Sequence, residues 1–474
     1  MEHAFVRYTL PLDHAPVRWG VLLSVVALLA FLSWWGKRGQ GPDRFPWVRW
    51  LYRSRLFPGL ARWAVLAGMV FTLWTLFAGS MSPSMNPGAV LLWGVWWPLL
   101  CLLPWLAGRG FCAVCPVMLL GPFRRFLARL DLPLPQAFRD LGLMPAAGLL
   151  VLFSVADIFF RIEARPWVSG RFLVLMILVV FALFILFEEW VWCRQLCPVG
   201  AVQAALARFS LVGMERRSAG ACSLRVPVEG TDPRCCMCGD CWKGRREPAL
   251  RFGLRPDRGV ALRGEVLLVS LLFSHVVFEL LVNNDLAQTF LLILERGSII
   301  WVPLKRLPGV PKLPVELYLL AGYAVSIALV LGLRGWLCAL FDAQSRRLRP
   351  EEAAAFGLAL FPLMASAYAA FHVPSFFFFP EVLGRFVTVM RGGSWTDLHL
   401  VQATDVPGPT IAFVRLVLLS FGWRWTAASL RSAAGRLDAS LLKSRYRAER
   451  LYALAMFLLL AALALLPNTQ GDPC

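Results

Sequence analysis

The stretch WCRQLCPVGAVQ, Trp192–Gln203, holds two cysteines with three residues between them and a proline after the second, at the end of a long apolar run. Paired thiols in that setting have four readings: a disulfide, a zinc site, a thiol redox switch, or ligands of an iron–sulfur cluster. The rest of the chain has to choose among them.

Working outward, the apolar run is one of many. The chain has 474 residues, 58% of them hydrophobic and only 16% charged, with a mean hydropathy of +0.63. A soluble domain has no use for that much apolar surface, so the composition is that of an integral membrane protein. We read ten membrane spans, roughly 19–36, 58–80, 87–108, 142–161, 171–191, 262–283, 315–337, 353–377, 408–426 and 449–467. The apolar segment 287–303 is interrupted by Glu295, Arg296 and Gly297 and reads as an interfacial helix. The first eighteen residues lack a basic start and a cleavage site, so the first span is expected to be retained.

The net charge of +19 is not a nucleic-acid signature, because Lys and Arg fall between the spans. The odd-numbered loops carry Lys37, Arg38 and Arg44; Arg109, Arg124, Arg125, Arg129 and Arg139; Arg346, Arg347 and Arg349; and Arg431, Arg436, Lys443 and Arg445. The loop SMSPSMNP, Ser80–Pro87, has no charge at all. The positive-inside rule therefore puts the odd loops in the cytoplasm and both termini outside, as expected for a multi-pass protein of a bacterial inner membrane. The cysteine-rich loops then face the reducing side, where structural disulfides are disfavoured.

The cysteines are grouped. RCCMCGDCW, Arg234–Trp242, places Cys235, Cys238 and Cys241 in C-x2-C-x2-C spacing. That run wraps a loop around one cluster so that three thiolates reach three irons. Gly239 permits a tight turn there. A ferredoxin would supply a fourth cysteine shortly afterwards; Arg245 and Arg246 stand in that place, so the fourth ligand is Cys222 or, as a rival, Cys236. Structural zinc more often takes two separated C-x2-C knuckles, and a thiol switch needs only one pair. A second Cys-Pro motif, RGFCAVCPVMLLGPF from Arg109, closely follows the third span as WCRQLCPVGAVQ follows the fifth. Spans two–three and four–five therefore read as an internal repeat, each copy delivering two thiols. Cys112, Cys115, Cys193 and Cys197 make one set of four; Cys222, Cys235, Cys238 and Cys241 make another. Cys101, Cys236, Cys338 and Cys474 are left over and read as spare thiols.

With the Cys-Pro pairs, the form WCRQLCPVGA and the C-x2-C-x2-C loop in view, residues 55–260 resemble the membrane-bound 4Fe-4S polyferredoxins. That family includes the quinol-dehydrogenase subunit of periplasmic nitrate reductase and the membrane regulator of nitrous oxide reductase. The resemblance implies cysteine motifs at the cytoplasmic edge and electron flow between the quinone pool and a reductase. The chain departs from the family pattern in three respects. Its first pair has two intervening residues, it has a single truncated ferredoxin run, and residues 261–474 have no counterpart there.

That second half has its own signal, because ionisable residues inside spans are costly. His275 and Glu279 in SHVVFELL are four apart and share a helix face. His372, Arg415 and Asp157 fall at a similar depth, in the outer half of their spans. Two functional readings stand: a quinone pocket, with His and Glu exchanging protons and Arg holding a carbonyl, or a b-type haem with His275 and His372 as axial ligands and Arg415 beside a propionate. Structural pairing within the bundle is the bland reading and carries equal weight. His399 beside Asp397 reads as surface, and Glu188 and Glu189 as interfacial. Clusters at the cytoplasmic face lie across a hydrocarbon core of ~30 Å from any outside partner. Transmembrane electron flow would thus need a redox group in the outer half.

The expectation is an all-α polytopic membrane protein in four parts. These are an outer tail, first helix and basic loop (1–57), a four-helix unit with two Cys-Pro motifs (58–209), a cytoplasmic ferredoxin-like insert (210–260), and a second membrane unit of about five helices (261–474). Two [4Fe–4S] clusters would carry electrons between a membrane quinone and a partner respiratory complex, as an oxidoreductase subunit without its own soluble catalytic domain and with no nucleic-acid partner. The competing classes are an iron–sulfur redox sensor or maturation factor, and a transporter whose cysteines bind zinc.

Overall fold

A computed structural model describes residues 56–97, 108–120, 130–187, 191–207, 212–215, 249–252, 264–282, 315–342, 350–372, 408–434 and 439–465, with a few isolated positions between them. It is mostly helical. Among the described residues seven helices are long and apolar enough to cross a membrane: Gly59–Ala78, Pro166–Leu186, Glu265–Val282, Glu316–Phe341, Ala354–Phe371, Ile411–Ala434 and Ser444–Leu465. The expected first span lies outside the described residues, as does the segment 287–303. Two other expected spans are represented by shorter apolar helices, Pro87–Trp96 and Met144–Phe160.

The chain divides into two compact units. The first takes its described residues from Leu12–Leu149 and Arg165–Leu268. Helix α1, Gly59–Ala78, presents Leu60, Trp63, Val70, Trp74 and Phe77 outward, a face suited to lipid and costly in water. Helix α2, Pro87–Trp96, begins at Asn86, which is fully buried. The Asn86 Oδ1 accepts from the backbone N–H of Gly88 (2.9 Å) and Ala89 (3.1 Å), and its Nδ2 donates to the carbonyls of Thr75 (2.9 Å) and Ser80 (2.8 Å). One side chain thus caps α2 and ties it to the end of α1. Gly88 allows the approach, since a Cβ there would lie 2.5 Å from the Thr72 carbonyl oxygen. After α3, Gly110–Val114, comes α4, Met144–Phe160, of which only the residues up to Leu149 belong to this unit, then α5, Pro166–Leu186, whose Ser169 Oγ accepts from the Trp93 indole at 3.0 Å. Helix α6, Pro198–Ala207, buries Ala201, Gln203, Ala204, Ala205 and Leu206. Strands β1, Val212–Glu215, and β2, Ala249–Phe252, pair antiparallel with Val212 opposite Phe252. This two-stranded stem joins the ends of the expected insert; the cysteines it brackets, Cys222 to Cys241, lie outside the described residues.

The second unit takes its described residues from Leu150–Ala164 and Val269–Cys474. It holds α7, Glu265–Val282, from Val269 onward, then α8, Val315–Asp342, α9, Pro350–Ala359, α10, Phe361–Phe371, α11, Gly408–Ala434, and α12, Ala439–Leu465. The span expected as one helix over 353–377 is broken at Leu360. Pro362 lacks an N–H and disfavours continuous α-helix just before it. The neighbouring helix compensates, because Thr426 Oγ1 accepts from the Leu363 N–H at 2.9 Å. A side chain at Gly422 would collide with Ser366, so α10 and α11 pack in close contact. At the other end of this unit Glu449, fully buried, takes a bidentate ion pair from Arg334 (2.9 and 3.1 Å) and a second from Arg445 (3.2 Å). The pairing satisfies an otherwise prohibitive buried carboxylate.

Candidate metal centre and polar chamber

The two Cys-Pro motifs fold alike. Cys115 ends α3 with an extended backbone (φ −58°, ψ 130°), and Pro116 opens a tight helical turn, Pro116–Leu119. Cys197 ends a wide helical turn, Trp192–Leu196, with φ −64° and ψ 108°, and Pro198 opens α6. Proline dictates both corners: it pushes the preceding residue out of the α region and suits the first position of the helix that follows. Each second cysteine therefore stands where the next helix offers unpaired amides. The Gly200 N–H donates to Cys197 Sγ at 3.2 Å, and the Val117 amide similarly addresses Cys115.

The four thiols are brought together, and none forms a disulfide. Burial pushes Cys115 up to about 12, with the charges of Cys112 and Cys197 adding to it and the Val117 amide and Arg62 opposing. Burial likewise raises Cys197 to about 11, against the pull of the Gly200 amide and of Arg109. Cys193 is held well above the ordinary thiol range by burial and then by Cys197, Cys115 and Cys112. Thiols so placed ionise only if something positive joins them. Among the described residues no group of three or more His, Cys, Asp or Glu closes tightly enough to hold a single metal ion. A cubane cluster asks for a wider cage, because each thiolate takes its own iron. Gln203 supplies an independent sign of fit. Cys112 Sγ donates to its Oε1 at 3.3 Å, while its Nε2 is buried with no partner among the described residues. A thiolate at Cys112 would accept from that amide after a half-turn of the side chain.

Two arginines flank the thiols. Arg109, one of the loop cations of the sequence, is buried, and its Nη2 reaches the Cys193 carbonyl at 3.4 Å. Arg62 of α1 donates through Nε to the carbonyl of Ala113, between Cys112 and Cys115, at 2.9 Å. Sequence reasoning missed Arg62 and Gln203, because one intramembrane-edge arginine or glutamine carries no pattern of its own. The second cysteine set, Cys222, Cys235, Cys238 and Cys241, lies outside the described residues, as do Cys101, Cys236, Cys474, Glu188, Glu189 and His399.

In the second unit a polar chamber assembles around His275. Its Nδ1 is 3.5 Å from Ser154 Oγ, and its Nε2 is 3.8 Å from Glu279 Oε1. Tyr323 packs edge-on to the imidazole, with ring centroids 6.1 Å apart, inside a cluster with Phe278 and Ile158. His372 caps the end of α10, is buried, and sits within electrostatic reach of His275; its Nε2 has no partner among the described residues. Arg415 is buried and donates through Nε to the Ala370 carbonyl at 3.1 Å, two residues before His372. Asp157 accepts through Oδ1 from the Glu163 N–H at 3.1 Å. Burial drives the Glu163 carboxyl well above the usual carboxylate range, with Asp157 and then Glu279 adding repulsion. His275, Glu279 and His372 thus share one neighbourhood, which Asp157 joins through Glu163. Ser154, Tyr323 and Glu163 belong to it unannounced by the sequence.

Comparison with known proteins bears on the first of these sites. No curated protein and no solved structure matches this chain. Residues 89–130 and 169–214 match the family model of a 4Fe-4S binding domain, and these segments carry Cys112, Cys115, Cys193 and Cys197.

Proposed function

We propose that the chain is a membrane electron-transfer subunit that passes electrons through two [4Fe–4S] clusters between a membrane quinone and a partner redox complex. The observation that carries this reading is the meeting of four thiols from two Cys-Pro corners, each inside a segment matched as a 4Fe-4S binding domain. Cys112, Cys115, Cys193 and Cys197 hold the first cluster; Cys235, Cys238, Cys241 and Cys222 hold the second. When bound, such a cluster accepts and releases one electron at a potential set by charge, hydrogen bonds and exposure. The amides of Gly200 and Val117 orient sulfur. The basic odd-numbered loops support a cytoplasmic side for this edge.

The chamber around His275 is the quinone end of the path. Quinol oxidation releases two protons with its two electrons, and quinone reduction takes them up. His275, paired through Nδ1 with Ser154 Oγ, and Glu279 exchange those protons; Glu163, disposed to stay protonated, passes them on. The buried Nε2 of His372 is placed to hydrogen-bond a quinone oxygen.

The test is anaerobic mixing of purified protein with a reduced short-chain quinol, followed by the visible and EPR signals of the clusters. Reduction that disappears in a His275→Ala, His372→Ala double variant with unchanged iron content is expected. Clusters that respond to oxygen but never to quinol would make the protein a sensor instead.

A further inference from the structure

Around the first four thiols stand groups that ligation does not require. Arg109 is buried at 7% exposure, although it lies in a loop where a basic residue could point into solvent. A Cβ built on Gly200 would lie 3.1 Å from Arg109 Nη2 and 3.4 Å from Cys197 Sγ. The guanidinium and the sulfur therefore close on the same small space, which only a glycine leaves open. On the other side, Arg62 is anchored by Nε at the Ala113 carbonyl, and its buried Nη2 has no partner among the described residues. Gln203 holds a buried, unpartnered Nε2 beside Cys112. The buried Arg62 Nη2 beside thiols is costly unless an anion faces it. A cubane carried by four thiolates is such an anion, and it gains one more negative charge on reduction. Cations and N–H donors held next to it favour the reduced form.

We infer that Arg109, Arg62 and Gln203 are positioning residues that raise the reduction potential of the cluster held by Cys112, Cys115, Cys193 and Cys197. The inference rests on the ligand reading given under Proposed function.

The experiment is a redox titration of anaerobically purified full-length protein, followed by EPR, with iron counted per chain in every sample. In Arg109→Gln, Arg62→Gln and Gln203→Leu, one of the two midpoint potentials should fall while the other holds still. A tenfold change in the reduction equilibrium, about 59 mV for one electron, is the expected size for each arginine. Arg109→Lys, which keeps the charge, should stay near the parent. Full iron content with unmoved potentials in the two glutamine-for-arginine variants would overturn the inference. So would loss of iron in both, because that outcome makes them structural supports rather than tuners of potential. A parent protein without clusters would instead be a failure of the ligand reading itself.

Discussion

Cys197 shows how much one residue is asked to do. It ends a wide turn, takes an extended backbone because Pro198 follows, and receives the Gly200 amide on its sulfur. Cys197→Ser keeps the backbone instruction and removes the soft ligand. We expect it to lower iron from about eight to about four atoms per chain, with one EPR signal lost and the other kept. Unchanged iron would remove Cys197 from the ligand set. Glu163 offers a second residue-scale prediction, with a defined sign. Its folded-state proton affinity is raised above the unfolded value by burial, Asp157 and Glu279. Stability therefore falls as pH rises from the ordinary carboxylate range toward the raised value. Glu163→Gln should be no more stable than the parent at acidic pH and increasingly more stable toward neutral and alkaline pH, as read by thermal unfolding in detergent. A constant difference across pH would show that the carboxyl does not titrate in that window.

At the scale of elements, the helices follow from local chemistry, and their interruptions follow from proline and glycine. Asn86→Ala removes the cap of α2 and leaves the Thr75 and Ser80 carbonyls short of a donor. A loss of about 2 kcal/mol is expected, measured as a shift in the unfolding midpoint. Asn86→Asp keeps the cap but loses the Nδ2 donor, and should fall between the two. The apolar runs made most helices legible in advance, because a membrane span is a long signal of one kind. The break at Leu360 was missed, since a proline inside a hydrophobic run reads as a tolerated kink until the packing partner, Thr426, is seen. The Cys-Pro repeat was legible because proline rules act locally. The strand pair Val212–Glu215 and Ala249–Phe252 was not, because its pairing joins segments more than thirty residues apart with no strong alternation in either.

For the whole molecule, the sequence reading and the structure agree where chemistry is repeated and part where it is solitary. The four thiols of the two motifs stand within electrostatic reach of one another. His275 lies beside Glu279 and within electrostatic reach of His372. The burial of Arg109 was not legible, because a lone charge next to a span carries no sign of its neighbours in the fold. Ser154, Tyr323 and Glu163 joined the chamber for the same reason: single residues announce nothing until neighbours from other helices surround them.

The central claim is that thiolates of this chain hold inorganic clusters. Iron and acid-labile sulfide should be measured on protein purified without oxygen, with EPR before and after dithionite. About eight of each per chain, with signals that appear on reduction, is the expected result. Colourless protein without iron or sulfide, or with zinc bound at the cysteines, would contradict it.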